Sequence, residues 1–163
     1  MAPRVFYSFH YDHDSWRVSQ VRNMGVVEGQ PILSSNEWED VKKGGDAAIR
    51  AWIDEQMKGK SCVVVLIGRH TAGRKWVSYE IEKGWTAGKG VVGVYIHNLE
   101  DQSGKQDSKG ENPLASVTVD GTKLSVVAKT YDPPYQISTN VYKHIKENLE
   151  SWVDEAIAIR KNH

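Results

Sequence analysis

The chain has 163 residues, 39% of them apolar and 26% charged, which fits one globular domain and is short for two. Lys plus Arg number 21 and Asp plus Glu number 21, so the formal net charge is zero and the surplus cation that non-specific nucleic-acid binding needs is missing. Cys62 is the single cysteine, which excludes an internal disulfide framework and a thiolate-rich zinc site and fits a reducing, cytoplasmic setting.

The chain opens Met1-Ala2-Pro3-Arg4 and runs straight into strand-like sequence, without the apolar stretch of a secretory leader. Arg4 to Phe9 is β-branched and aromatic and predicts a first strand. His10 to Ser15 reads as a loop, with Asp14 or Ser15 as N-cap of a short helix over Trp16–Arg22. Asn23 to Asn36 reads as a long connection, and Asn36 to Asp40 as a short turn or helix. Ile49, Trp52, Ile53 and Met57 recur at helical spacing, which predicts an amphipathic helix over Gly45–Met57.

Ser61–Ile67 is apolar almost throughout, as in a parallel strand buried on both faces. Its run from Cys62 to Ile67 is the longest apolar one, at six residues, against about 20 for a membrane-spanning helix. A helix over Lys75–Gly88 and a second buried strand over Val91–Ile96 follow. Glu100 to Pro113 has no aliphatic side chain in 14 residues, so an exposed and mobile excursion is expected. Leu124–Val127 is a weak strand candidate, Pro133-Pro134 a breaker, and Val141 to Ile157 the apolar stripe of a last helix ending near Lys161. Alternation of this kind predicts an α/β domain over residues 1–163, with a parallel sheet covered on both faces. Ligands of such sheets sit beyond the carboxyl ends of the strands. Phe9 to Asp14, Gly68 to Trp76 and the residues from His97 onward are therefore the candidate site segments.

Three constellations there could carry chemistry. Val77, Ile81 and Trp85 form the buried stripe of one helix, and Trp76 and Glu80 lie four apart on a stripe rotated by about 100°. A carboxylate beside an aromatic wall suits a sugar substrate, because cleaving an N-glycosidic bond develops positive charge on the ribose. The alternative is a solvated Glu80 with Trp76 on a partly buried rim. In either case Glu80 is off the stripe, and removing its charge is expected to change folding little. Phe9 and His10 end the first strand, as a stacking ring and a phosphate or hydroxyl ligand, or as core and surface residues. The six histidines do not form a metal motif: there is no HExxH, and one cysteine cannot complete a zinc set. GxGxxG, GxxxxGK[ST] and GxSxG are likewise missing.

The residues Arg4 to Tyr11, Trp38-Glu39-Asp40, Val65 to Gly68, Arg74 to Ile81, Gly90 to His97 and Gly110 to Pro113, in that order and spacing, resemble a TIR-like family that includes the TIR proteins of the bacterial Thoeris anti-phage system. The resemblance covers about the first 115 residues. It implies a flavodoxin-like TIR fold and an enzyme that consumes NAD as substrate by cutting its nicotinamide–ribose bond. It places the catalytic glutamate of a Trp-x-x-x-Glu helix start on Glu80, with Trp76 beside it, and the nicotinamide ribose next to Phe9 and His10. Arg17 and Trp38 are candidates for phosphate or adenine contact. The implied product is a cyclic or conjugated ADP-ribose messenger that reaches a separate effector protein, with self-assembly in the active state. No nucleic-acid or membrane partner is implied. The competing reading is a non-catalytic TIR-like adaptor, or a nucleotide sensor, that acts by assembly. His10 stands where the family more often has a small or basic residue, and Met24 to Ser35 is unlike typical TIR loops.

Overall fold

The computed structural model describes residues 2–163, and two apolar runs set its centre. Strand β1 spans Arg4–Ser8, helix α1 Tyr11–Asn23 and the two-residue strand β2 Glu28–Gly29. Helices α2 (Ser35–Lys43) and α3 (Gly45–Met57) lead into strand β3 (Cys62–Ile67), helix α4 (Lys75–Thr86) and strand β4 (Gly90–Tyr95). A 3-10 turn at Pro113–Ser116 and a small hairpin of β5 (Thr118–Val119) and β6 (Thr122–Lys123) follow. The single turn α5 (Leu124–Val127), strand β7 (Thr130–Tyr131) and the long helix α6 (Ser138–Lys161) complete the chain.

The main sheet has the order β2-β1-β3-β4-β7, and every neighbouring pair is parallel. This is the flavodoxin-like arrangement. All residues of β3 and β4 are buried, as parallel strands with both faces covered require. The period of two divides their side chains. Val64, Leu66, Val92 and Val94 meet Val18 and Val21 of α1 and Val141, Ile145 and Leu149 of α6. Val63, Val65, Ile67 and Val91 meet Ile49 and Ile53 of α3 and Val77, Ile81 and Trp85 of α4. Each such aliphatic side chain contributes roughly 1.5–3 kcal/mol on full burial. Helix α4 comes unusually close to the sheet at Gly84, where a Cβ would lie 2.4 Å from Val63 Cγ2.

The same period of two positions the functional face. On β1, Phe6 packs on the α4 side while Val5 and Tyr7 pack on the α1/α6 side. Ser8 therefore points the way Phe6 does, toward α4.

Several expectations need correction. Helix α1 begins at Tyr11, with His10 as an N-cap that makes no side-chain capping bond. Asp14, expected as a cap, is buried inside the helix and pairs with Arg17, so burial with a cation prevailed over its capping preference. Asn36–Asp40 belongs to the nine-residue α2, started by a Ser34/Glu37 capping box. The long connection contains the edge strand β2 and the buried Gln30, whose side-chain amide accepts from Tyr7 N at 2.8 Å and donates to Tyr7 O at 2.9 Å. Leu124–Val127 is helical: Leu124 plugs the core while Val126 is exposed, and the edge strand lies at Thr130–Tyr131 instead.

The excursion after Leu99 is largely exposed, but polar contacts fasten it in place of apolar ones. Arg17 donates from Nη2 to Lys105 O at 2.9 Å, Asp107 N donates to His97 O at 2.8 Å, and Gln106 Nε2 donates to Asn98 O at 2.8 Å. Among the described residues no helix is long and apolar enough to cross a membrane.

Candidate active site

The strand order reverses about β1: the chain leaves β1 for β2 on one side and returns to β3 on the other. A cavity of about 200 Å³ opens beyond the carboxyl end of β1 at this reversal, where open α/β sheets characteristically hold ligands. Its walls come from the end of β1, the segment after β2, α2, α3 and the first turns of α4.

Glu80 lines this cavity, although it is only 8% exposed. It is neither a solvated helix residue nor independent of the core. Its position one stripe away from Val77 and Ile81 turns it under the end of β1, where Ser8 Oγ donates to Glu80 Oε1 at 2.6 Å. Burial pushes the Glu80 carboxyl up to about 8, and the Ser8 hydrogen bond opposes that rise.

Aromatic rings line the same cavity as the carboxyl. Phe9 and Tyr11 lie 5.7 Å apart, Tyr11 and Trp38 5.1 Å, and Trp38 and Trp52 6.1 Å between centroids. These four rings and Trp76 line the cavity. Trp76 is half-buried, with Tyr79 against it at 5.7 Å and Lys75 Nζ 4.9 Å from its ring centre. Cations stand at the rim. Lys42 pairs with Glu39, Lys75 pairs with Asp46, and Arg74 is anchored through Nε to His70 O at 2.9 Å. His10 also lines the cavity, and burial followed by the Arg74 charge lowers its pKa. The α4 N-terminus has no side-chain cap, so its free N–H groups and positive dipole end lie at the same rim.

The structure thus brings Phe9, His10, Trp38, Trp76 and Glu80 to one cavity. It does not bring Arg17 there. Arg17 is 2% exposed, and its guanidinium is engaged by Leu99 O at 2.8 Å, Asp14 Oδ1 at 3.2 Å and Lys105 O at 2.9 Å. It braces α1 against the excursion. Ser8, Gln30 and Trp52 were missed by sequence reasoning, and Arg74 was included only as part of the Gly68–Trp76 segment. Ser8 was findable, since it lies two residues after Phe6 on a strand. Trp52 sits on the helical stripe with Ile49 and Ile53, where core and wall look alike.

A family profile described as "Thoeris protein ThsB, TIR-like domain" matches residues 6–101. The chain belongs to this TIR-like family of the Thoeris anti-phage system. The matched span runs from within β1 past β4 and carries all five cavity residues just named. A relative in Bacillus cereus (strain MSX-D12), named "Putative cyclic ADP-D-ribose synthase ThsB1", is 40% identical over 119 residues, which is 70% of this chain. The chain covers 62% of the length of that relative.

Proposed function

We propose that this protein consumes NAD by breaking the bond between nicotinamide and ribose, and releases a cyclic or conjugated ADP-ribose as an anti-phage signal. The observation that carries this reading is the Glu80 carboxyl, buried among aromatic rings at the carboxyl end of β1 and held by Ser8. The family and the printed name of the Bacillus cereus relative point the same way.

The chemistry follows from charge. Bound NAD carries a positive pyridinium ring. That charge next to Glu80 favours the ionised carboxylate over the protonated form that burial otherwise stabilises. When the C1′–N bond breaks, its electron pair goes to the nicotinamide ring, which becomes neutral. The positive charge moves to the ribose C1′ and ring oxygen, where the fixed carboxylate stabilises it. Phe9 and Trp76 offer flat apolar faces to the departing ring, and the aromatic walls limit water. Capture of C1′ by water gives ADP-ribose and a proton, while capture by a nitrogen of the adenine gives a cyclic product. Arg74 and the α4 N-terminus supply positive charge for the diphosphate. The product would act on a separate effector, within the cytoplasm, and the enzyme would work as a self-assembly.

The test is incubation with NAD at protein concentrations that allow assembly, with nicotinamide and nucleotide products read by chromatography and mass spectrometry. Nicotinamide release by wild type and not by Glu80→Gln is expected. No release under any assembly condition would return the non-catalytic adaptor or sensor to first place.

A further inference from the structure

The cavity around Glu80 is too small for a dinucleotide. At about 200 Å³ it falls below the roughly 300–1,000 Å³ of sites that enclose drug-sized ligands, and nicotinamide with its ribose would fill it. A second cleft of about 540 Å³ adjoins it. The two share Tyr11, Asp12, Ile32, Leu33 and Trp38, so they meet along one edge. The second cleft runs between α1, α2 and the excursion at Asp101–Ser103. Its character differs from that of the first. Hydroxyl-bearing Ser15, Ser19, Ser34 and Ser35 line it, and Trp16 stands 51% exposed at its wall. Three carboxylates, Asp12, Glu39 and Asp101, border it, and no lysine or arginine does.

Resting on the NAD reading above, we infer that this second cleft holds the adenosine half of the dinucleotide and selects NAD over NADP. Trp16 offers an open ring for the adenine. Stacking of a base on an aromatic side chain changes affinity about fivefold or more on alanine substitution. The carboxylates accept hydrogen bonds from the adenosine ribose hydroxyls, as an acidic residue does in other dinucleotide sites. A 2′-phosphate would put two negative charges among three carboxylates, while the nearest ammonium, Lys42, is already held by Glu39 at 2.7 Å and His13 by Asp107 at 2.6 Å, and that repulsion is the discriminating element. Asp101 is the least available of the three, since it already accepts from Ser103 N at 2.8 Å and Lys105 N at 2.9 Å. Asp12 and Glu39 are exposed and carry the selection, Asp12 by its own charge and Glu39 by occupying Lys42.

Two measurements test this, and they fail separately from the NAD reading. Calorimetry of ADP-ribose on wild type and Trp16→Ala needs no turnover, and a loss of affinity of about fivefold or more is expected. Turnover is compared for NAD, NADP and nicotinamide mononucleotide, which lacks the adenosine. Wild type should favour NAD over NADP by at least tenfold in kcat/KM. Asp12→Asn/Glu39→Gln should narrow that ratio, and Trp16→Ala should lower kcat/KM for NAD far more than for the mononucleotide. Equal use of NAD and NADP, or unchanged ADP-ribose affinity in Trp16→Ala, would overturn the assignment. If wild type releases nicotinamide from none of the three, the enzymatic reading falls, and the cleft is judged on ADP-ribose calorimetry alone.

Discussion

In the proposed reaction Glu80 sets activity against stability, because its carboxyl would serve only when charged and is buried where charge is costly. Its pKa is about 8 in the native chain, against 4.5 for an ordinary glutamate. By the proposed chemistry the free enzyme must lose this proton before it can stabilise a cationic ribose, so kcat/KM for NAD should rise with pH and level off above about 8. The rise in kcat should come at lower pH, since bound pyridinium favours the carboxylate. Ser8→Ala removes the hydrogen bond that opposes the burial effect, and the kcat/KM profile should shift to higher pH. An unshifted profile would leave Ser8 a packing residue. For stability the sign is opposite. Between pH 4.5 and about 8 the native state holds a proton that the unfolded chain releases, so stability falls as pH rises through that window. Glu80→Gln has no such proton. Its Tm should exceed that of wild type at pH 8 by on the order of 5 °C, with the gap shrinking toward pH 4.5. Nicotinamide release should fall roughly a hundredfold or more in the same variant. A Tm gap that does not change with pH would mean that Glu80 ionises normally.

At the scale of elements, helix α4 delivers Glu80 only because Gly84 lets it rest on β3. In Gly84→Ala the new Cβ would meet Val63 Cγ2 at 2.4 Å, so the helix must lift. The cost of about 1–3 kcal/mol from overpacking outweighs the gain of about 1 kcal/mol in helix propensity. Lower Tm together with weaker nicotinamide release is the expected result of thermal melting and turnover assays. Ser34→Ala should cost about 1 kcal/mol by removing the α2 capping box, and it should raise KM because α2 carries Trp38. The elements whose apolar pattern settles their burial were legible in the sequence: β1, β3, β4, α3, α4 and α6. That Glu80, Trp76, Phe9 and His10 share one cavity was legible through motif resemblance, but the burial of Glu80 was not. Its helix stripe is polar by spacing, and only the closeness of β1 covers it. Arg17 read as a candidate phosphate or adenine contact, while its acceptors are the backbone carbonyls of residues 99 and 105 and the Asp14 carboxylate. Backbone acceptors leave no mark in a sequence. Edge strands of two residues, β2 and β7, are too short to show a period.

For the whole molecule, Arg17 links α1 to the excursion that borders the second cleft. Arg17→Met would leave Asp14 charged and unpaired at 0% exposure. Removing one partner of a buried ion pair typically costs about 3–5 kcal/mol. Chemical denaturation should show a loss of that order, and NAD kinetics measured on the folded fraction should change little. A large rise in KM with unchanged stability would restore Arg17 as a substrate contact. The order of the sheet also bears on how the chain is made. From β1 onward, β3, β4 and β7 add outward in the order of synthesis, so each strand emerging from a ribosome finds its neighbour already present. Helix α6 is the exception. It shares with α1 the cover of Val64, Leu66, Val92 and Val94 yet begins only at Ser138, so that apolar face stays half bare until α6 leaves the exit tunnel. A nascent chain stalled before α6 should therefore engage chaperones and aggregate on release, whereas one stalled after it has cleared the tunnel should already resist protease.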